Sequence, residues 1–281
     1  MASSFDTIRV RVFTIPKPPW DFCSYPMQTI AKGQCLYIVH ENVPLLLTLF
    51  ASQEEETFAS EGVVLSTHEL FFSFFLMLGN GPIYLGDYSD VNLKKIGINM
   101  ENINELLQDR TKFSNILKEI QLTLQPCKLV ESNMPYMGHM NHPLTKSVIF
   151  TRITFALLKA NMLCLTSNLL YEEACLNIFI ALEGLIHLLH RRYYPEKIFC
   201  FTDIKELFQK LLDDGDCFFE WLKEEVREDR HCIVHPQVAD DFEIYFPVSS
   251  GEDFAENRQY AFALVKFLLD EDVNKLRQNL G

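Results

Sequence analysis

Glu228-Asp229-Arg230-His231-Cys232-Ile233-Val234-His235-Pro236 closes an amphipathic helical pattern that begins near Phe218, and it settles how the C-terminal half is read. It sets a guanidinium, Arg230, five positions ahead of an imidazole, His235. Histidine exchanges protons near neutrality, and the planar arginine fork matches the oxygens of a phosphate. These side chains suit metal-free phosphodiester cleavage. On a regular helix, at about 100° per residue, the two would stand about 140° apart. Pro236 disfavours helical backbone in the residue before it, so the helix ends near His235. The imidazole can then turn toward Arg230 or toward a second subunit. The same pair also fits an ordinary helix C-terminus, with His235 as a cap and Arg230 solvated.

Outward from this stretch the pattern is helical throughout. Residues 144–170 and 171–193 read as two long helices, and 202–212 as a third, opened by Thr202 and Asp203 as cap and early acid. Gly215 is expected to break it, 218–235 is the helix leading into the motif, and 253–276 is the last. These lengths and short links predict an antiparallel bundle of four or five helices.

The run Arg230, His231, Cys232, Ile233, Val234, His235, Pro236 resembles the signature of the HEPN superfamily: Arg, a polar residue, three further residues, then His, commonly followed by Pro or Gly. Upstream, Glu172-Glu173-Ala174-Cys175-Leu176-Asn177-Ile178-Phe179-Ile180-Ala181-Leu182-Glu183-Gly184-Leu185 is similar to the long second helix of bacterial members, including the Apea-like group. The resemblance covers roughly residues 142–275 and says nothing of the first half. It implies a HEPN-type bundle whose motif lies at a homodimer interface formed by the motif-bearing helices. It further implies a metal-independent endoribonuclease without cofactors, and a role as a toxin or in antiviral defence. His235 would act as general base or acid, and Arg230 would stabilise charge developing on phosphorus. His231 would orient the phosphate and Glu183 would hold the arginine.

Net charge opposes a constitutive nucleic-acid binder. The chain carries −13 overall, and residues 203–229 hold ten acids against four Lys or Arg. This balance keeps open a noncatalytic module that dimerises or docks a partner, such as a protein trigger. Local positive charge remains, however. Arg227, Arg230, His231 and His235 gather at one helix end, and Arg191-Arg192 closes another, where the helix dipole favours cations whether or not they bind a ligand. If those two ends meet, Arg227, Arg191 and Arg192 line a phosphate-sized patch.

The N-terminal half reads as mixed α and β, so the whole is α+β. Residues 7–15 alternate Ile8, Val10 and Val12 with Arg9 and Arg11, a half-buried strand. Residues 33–41 and 62–65 are further strands, and the apolar run 67–78 fits a buried helix or a buried strand. Gly86-Asp87-Tyr88 reads as a break, and 101–124 as one amphipathic helix capped by Asn99 or Asn102. The periodicity lapses near 131–143, dividing a domain at 1–130, a candidate sensor, from the bundle at 144–281.

Eight cysteines without a CxxC pair read as reduced, mostly core-packed thiols. His139 with His142, and His187 with His190, lack enough neighbouring ligands for a metal, and none is expected. The N-terminus shows no signal pattern, and Arg152, Lys159 and Asn161 interrupt the most apolar long segment. The expectation is a cytoplasmic protein that does not cross a membrane and that acts on RNA.

Overall fold

A computed structural model describes residues 5–14, 30–40, 43–51, 58–60, 63–80, 83–120, 136–167, 170–224 and 251–280. The chain divides into two compact units, Met1–Asn141 and His142–Gly281. The architecture is α+β, an antiparallel sheet with helices followed by a helical region.

The first unit runs β1 (Thr7–Thr14), β2 (Ile30–Lys32), β3 (Cys35–His40), β4 (Val43–Phe50), β5 (Phe58–Ser60), β6 (Val63–Leu65), α1 (Thr67–Asn80), β7 (Tyr84–Asn92), α2 (Glu105–Gln108) and α3 (Arg110–Glu119). Five strands pair antiparallel in the order β2-β3-β4-β1-β7, while β5 and β6 form a separate hairpin. Side chains alternate across a strand, so the register fixes two faces. Ile8 lies opposite Leu49 and Val91, and Val10 opposite Leu47. With Leu36, Ile38 and Leu45 they form an apolar face packed on Ile103, Leu106, Phe113, Ile116 and Leu117.

The opposite face is buried as well, and there the simple alternation misleads. Arg9 and Arg11 are 1% and 2% exposed, not solvated. They meet Glu69 of α1, which is wholly buried: Arg11 Nε donates to Glu69 Oε1 at 3.2 Å, and Arg9 Nη1 lies 3.5 Å from Oε2. Arg9 also grips Asp90 of β7 with two bonds of 2.8 Å, and Arg11 donates to the Gly86 carbonyl at 3.0 Å. The Tyr88 ring lies 4.0 Å from the Arg9 guanidinium and 4.8 Å from that of Arg11. Removing ions from water costs several kcal/mol each, and bonds to charged groups return about 1.5–3 kcal/mol apiece. Only a closed network of this kind makes such burial tolerable.

The same Glu69 resolves the ambiguity of the apolar run. It accepts from the Ser66 backbone N–H at 2.9 Å while Ser66 Oγ accepts from the Glu69 N–H at 3.2 Å, a reciprocal capping box that starts α1 as a helix. Phe71, Phe72, Phe74 and Phe75 are all buried, so α1 is apolar around its circumference, which hides any helical period in the sequence.

Strand β4 carries consecutive buried leucines, Leu45, Leu46 and Leu47, because both sheet faces are covered, so it lacks the alternating signature. Gly86 does not break β7. The register shifts between Arg11 and Phe13, and a Cβ on Gly86 would come 3.3 Å from the Val12 backbone oxygen, so the glycine permits close pairing at a bulge. The helix expected over 101–124 is divided at Asp109, whose extended backbone ends α2 and whose carboxylate accepts from the N–H groups of Thr111 and Lys112 to cap α3. That cap displaces the expected Asn99 and Asn102, and Glu105 accepts from the Asn102 N–H. Part of the expected boundary, 131–135, lies outside the described residues, and 136–141 belong to the first unit.

The second unit contains α4 (Val148–Thr166), α5 (Tyr171–Tyr193), α6 (Phe201–Leu211), α7 (Gly215–Lys223), α8 (Gly251–Asp270) and α9 (Val273–Leu280). These are six helices among the described residues, where four or five were expected. The extra one arises because the last expected helix is broken at Glu271, whose φ of 56° is left-handed, and Asp272 then caps α9 through the N–H groups of Asn274 and Lys275. Gly215 does not break a helix either; it is the first residue of α7, and its missing Cβ would lie 2.3 Å from the Phe208 carbonyl oxygen. Both α4 and α5 are long and apolar enough to cross a membrane, and 50% and 61% of their apolar windows are buried within the protein.

Glu69→Gln keeps the shape and the capping bond but removes the charge between two buried arginines. Equilibrium urea unfolding should show a loss of about 3–5 kcal/mol, the usual range when one partner of a buried pair is removed. A change below about 0.5 kcal/mol would mean the network contributes nothing to stability.

Candidate functional site

The helical unit is organised around α5, against which α4 and α8 pack. Acidic Glu172 and Glu173 open α5 while His190, Arg191 and Arg192 close it, as its dipole favours. Midway along α5, a Cβ on Gly184 would lie 2.7 Å from Ile153 Cγ1 of α4, so only glycine allows this helix crossing. Glu183, expected to hold the arginine of the motif, is half-buried beside that crossing.

Helix α7, which precedes the motif in the chain, is fixed by aromatic contacts. Phe218 meets Phe208 of α6 edge-on at 4.9 Å, and Trp221 meets Tyr260 of α8 at 4.4 Å. Arg227, Arg230, His231 and His235 lie outside the described residues.

Arg191 and Arg192 differ in their surroundings. Arg191 is exposed. Arg192 Nη1 donates to the Leu268 carbonyl at 2.8 Å, and its guanidinium pairs with Glu271, so it closes the C-terminal end of α8 where unpaired carbonyls need donors. This engagement leaves less of Arg192 for a phosphate.

The α5–α6 junction holds a polar cluster that sequence reasoning missed. His190 is 1% exposed, and its Nε2 stands 3.2 Å from Asp203 Oδ2. Lys197 Nζ donates to the other carboxylate oxygen at 2.7 Å and lies 4.6 Å from the Tyr194 ring. The Lys197 hydrogen bond, reinforced by His190, holds the Asp203 carboxyl below its usual range, and the same bond raises the Lys197 ammonium. Asp203 had been read as an early acid of its helix; its partners come from thirteen and six residues earlier in the chain. The sequence signal was only a histidine near the end of a long helix, with an acid just beyond the turn.

Other candidates have local roles. The His187 ring lies 3.9 Å from that of Phe199, tilted by 33°. His139 stands 6.0 Å from Tyr136 and 6.2 Å from Phe75, and His142 Nδ1 accepts from the Leu144 N–H at 3.2 Å. None of the five described cysteines forms a disulfide. Cys35 and Cys175 are buried as expected, but Cys200 and Cys217 are exposed. Burial raises the Cys35 thiol far above its ordinary value, which makes it inert at neutral pH.

Compared with protein-family models, curated proteins and solved structures, the chain matches none.

The Asp203 cluster has a signed pH dependence. Because its folded pKa is depressed, its contribution is present above the ordinary carboxylate range, near about pH 4, and is lost as pH falls through the lower folded value. Thermal unfolding across acidic pH should show a shallower acid-side decline for Asp203→Asn than for wild type. Parallel declines would assign the acid sensitivity to other groups.

Proposed function

We propose that the C-terminal unit is a HEPN-type, metal-independent endoribonuclease that cleaves RNA through Arg230 and His235 of two copies of the chain. The carrying observation is the Arg230-to-His235 run, followed by Pro236, in the sequence between α7 and α8 of a helical unit whose long paired helices are α4 and α5. His235 takes the proton of a ribose 2′-OH as that oxygen attacks phosphorus, or returns one to the departing 5′-oxygen. The products are a 2′,3′-cyclic phosphate and a 5′-hydroxyl, and the proton balance closes without a metal or cofactor. Arg230 stabilises the negative charge that grows on the phosphoryl oxygens. His231 orients the phosphate, Glu183 steadies the arginine, and Arg227 and Arg191 draw in the RNA backbone, with a lesser part for Arg192. The site is a homodimer's, the setting is the cytoplasm, and the role is a toxin or an antiviral effector. The N-terminal unit senses the trigger.

A second reading has its own support. The charge of −13, the ten acids over 203–229 and the engagement of Arg192 by Glu271 all favour a noncatalytic HEPN module that dimerises or docks a protein partner.

Induced expression of wild type beside His235→Ala, followed by assays of both purified proteins on RNA in EDTA, separates the two. The nuclease reading expects fragmentation by wild type that survives chelation and falls about 10²–10⁴-fold in the variant, the usual worth of a general acid or base. Cleavage that persists in His235→Ala overturns the mechanism. Intact RNA together with tight dimerisation supports the binding module.

A further inference from the structure

The end of α4, the start of α5 and the first turns of α8 converge on an arginine that lacks a counter-charge. Arg258 is half-buried, its Nε is buried without a hydrogen-bond partner, and among the described residues it forms no ion pair. Its guanidinium lies 4.4 Å from the Phe262 ring. Around it stand the Cys164 thiol, hydrogen-bonded to the Tyr171 hydroxyl, and the half-buried Lys266. The N-terminus of α8 abuts this group, since a Cβ on Gly251 would come 3.1 Å from Tyr171 Oη. Asp270 offsets Lys266. Glu256, also on α8, is engaged by the Tyr260 hydroxyl at 2.8 Å.

The arrangement runs against the economy of the rest of the protein. Every buried cation described above has a carboxylate or carbonyl oxygen, whereas burial pushes Arg258 down to about 10, and burial, then repulsion from Arg258, lowers Lys266. At about 10, Arg258 stays charged at neutral pH, and a buried donor left without an acceptor costs about 1–3 kcal/mol. In a chain of net charge −13, Arg258 and its neighbour Lys266, the latter offset by Asp270, make a locally electropositive patch. A helix N-terminus adds partial positive charge and directed N–H groups.

We infer that Arg258, with Lys266 and the Tyr171 hydroxyl, forms an anion site that binds a phosphate monoester. A monoester carries about −1.5 to −2 charges at neutral pH, which meets the unpaired Arg258 and draws on Lys266 as well, and its oxygens accept the bidentate arginine fork. The site uses neither Arg230 nor His235 and stands independently of the nuclease reading. Its ligand is either free, as inorganic phosphate or a mononucleotide, or the terminal phosphate of an RNA strand.

The test is binding and thermal unfolding of the full chain with inorganic phosphate, a 5′-mononucleotide, and an RNA oligonucleotide bearing either a 5′-phosphate or a 5′-hydroxyl. Wild type should be stabilised in a concentration-dependent way by at least one phosphate monoester. Arg258→Met should lose at least tenfold in that affinity while holding its unliganded melting temperature, since a similar volume remains and an uncompensated charge is gone. Arg258→Lys should retain part of the affinity. Preference for the free ligands or for the 5′-phosphorylated strand identifies the source. His235→Ala should bind phosphate like wild type, so loss of cleavage and loss of this site are read separately. No stabilisation of wild type at millimolar phosphate, or equal stabilisation of Arg258→Met, overturns the inference.

Discussion

A fully buried carboxylate, Glu69, ties the N-terminal unit together. Its two oxygens face Arg9 and Arg11 on the central part of the sheet, and one of them also receives the Ser66 N–H that starts α1. Strand, helix and β7 are thereby joined through one charge network, because Arg9 continues to Asp90 and Arg11 to the Gly86 carbonyl. A purely apolar interface would tolerate sliding of α1 over the sheet. A set of directional bonds between ions accepts one placement, since any other leaves a buried charge unmatched. The neighbouring Cys35 thiol, 3.5 Å from Thr48 Oγ1, and Tyr37, raised to about 12 by burial, record how dry that face is.

The helical unit obeys the same constraint at its helix ends. Arg192 closes α8, Asp272 opens α9, Arg277 Nε donates to the Leu211 carbonyl at 2.9 Å, and Asp203 joins α6 to α5 through His190. Arg192 and Arg277 thus meet carbonyls near the ends of α8 and α6 from different helices. Apolar burial holds the helices together, and these polar contacts select how their ends meet. Arg258 is the exception among the charged groups described above, and an unmet charge is where a ligand is best sought.

Strand β1 was legible because its apolar residues alternate with arginines, and β3 as a short run of strand-favouring residues after Gly33. Strand β4 and helix α1 were not, since burial on all sides removes the contrast between inward and outward residues. The signal for α1 was nevertheless present in Ser66-Thr67-His68-Glu69, a capping box one residue earlier than the stretch that was read. Of the candidate site, Arg191 and Arg192 were legible as a helix end, but the pairing of Arg192 with Glu271 depends on a left-handed residue far along the chain. His190 and Asp203 could not be matched in advance, because helix spacing predicts neighbours within one helix and not across a turn.

By itself the sequence determined the α+β class, the succession of long apolar helices after residue 142 and the placing of Arg230 and His235 on one short segment. These follow from local preference: periodicity, capping and the restriction that proline imposes on its neighbour. The tertiary structure alone decided that Arg9 and Arg11 are interior, that Asp109 and Glu271 divide helices, and that the Arg258 Nε is buried without an acceptor. The environment of a charge is set by whatever packs on it from distant parts of the chain, and no local pattern encodes that.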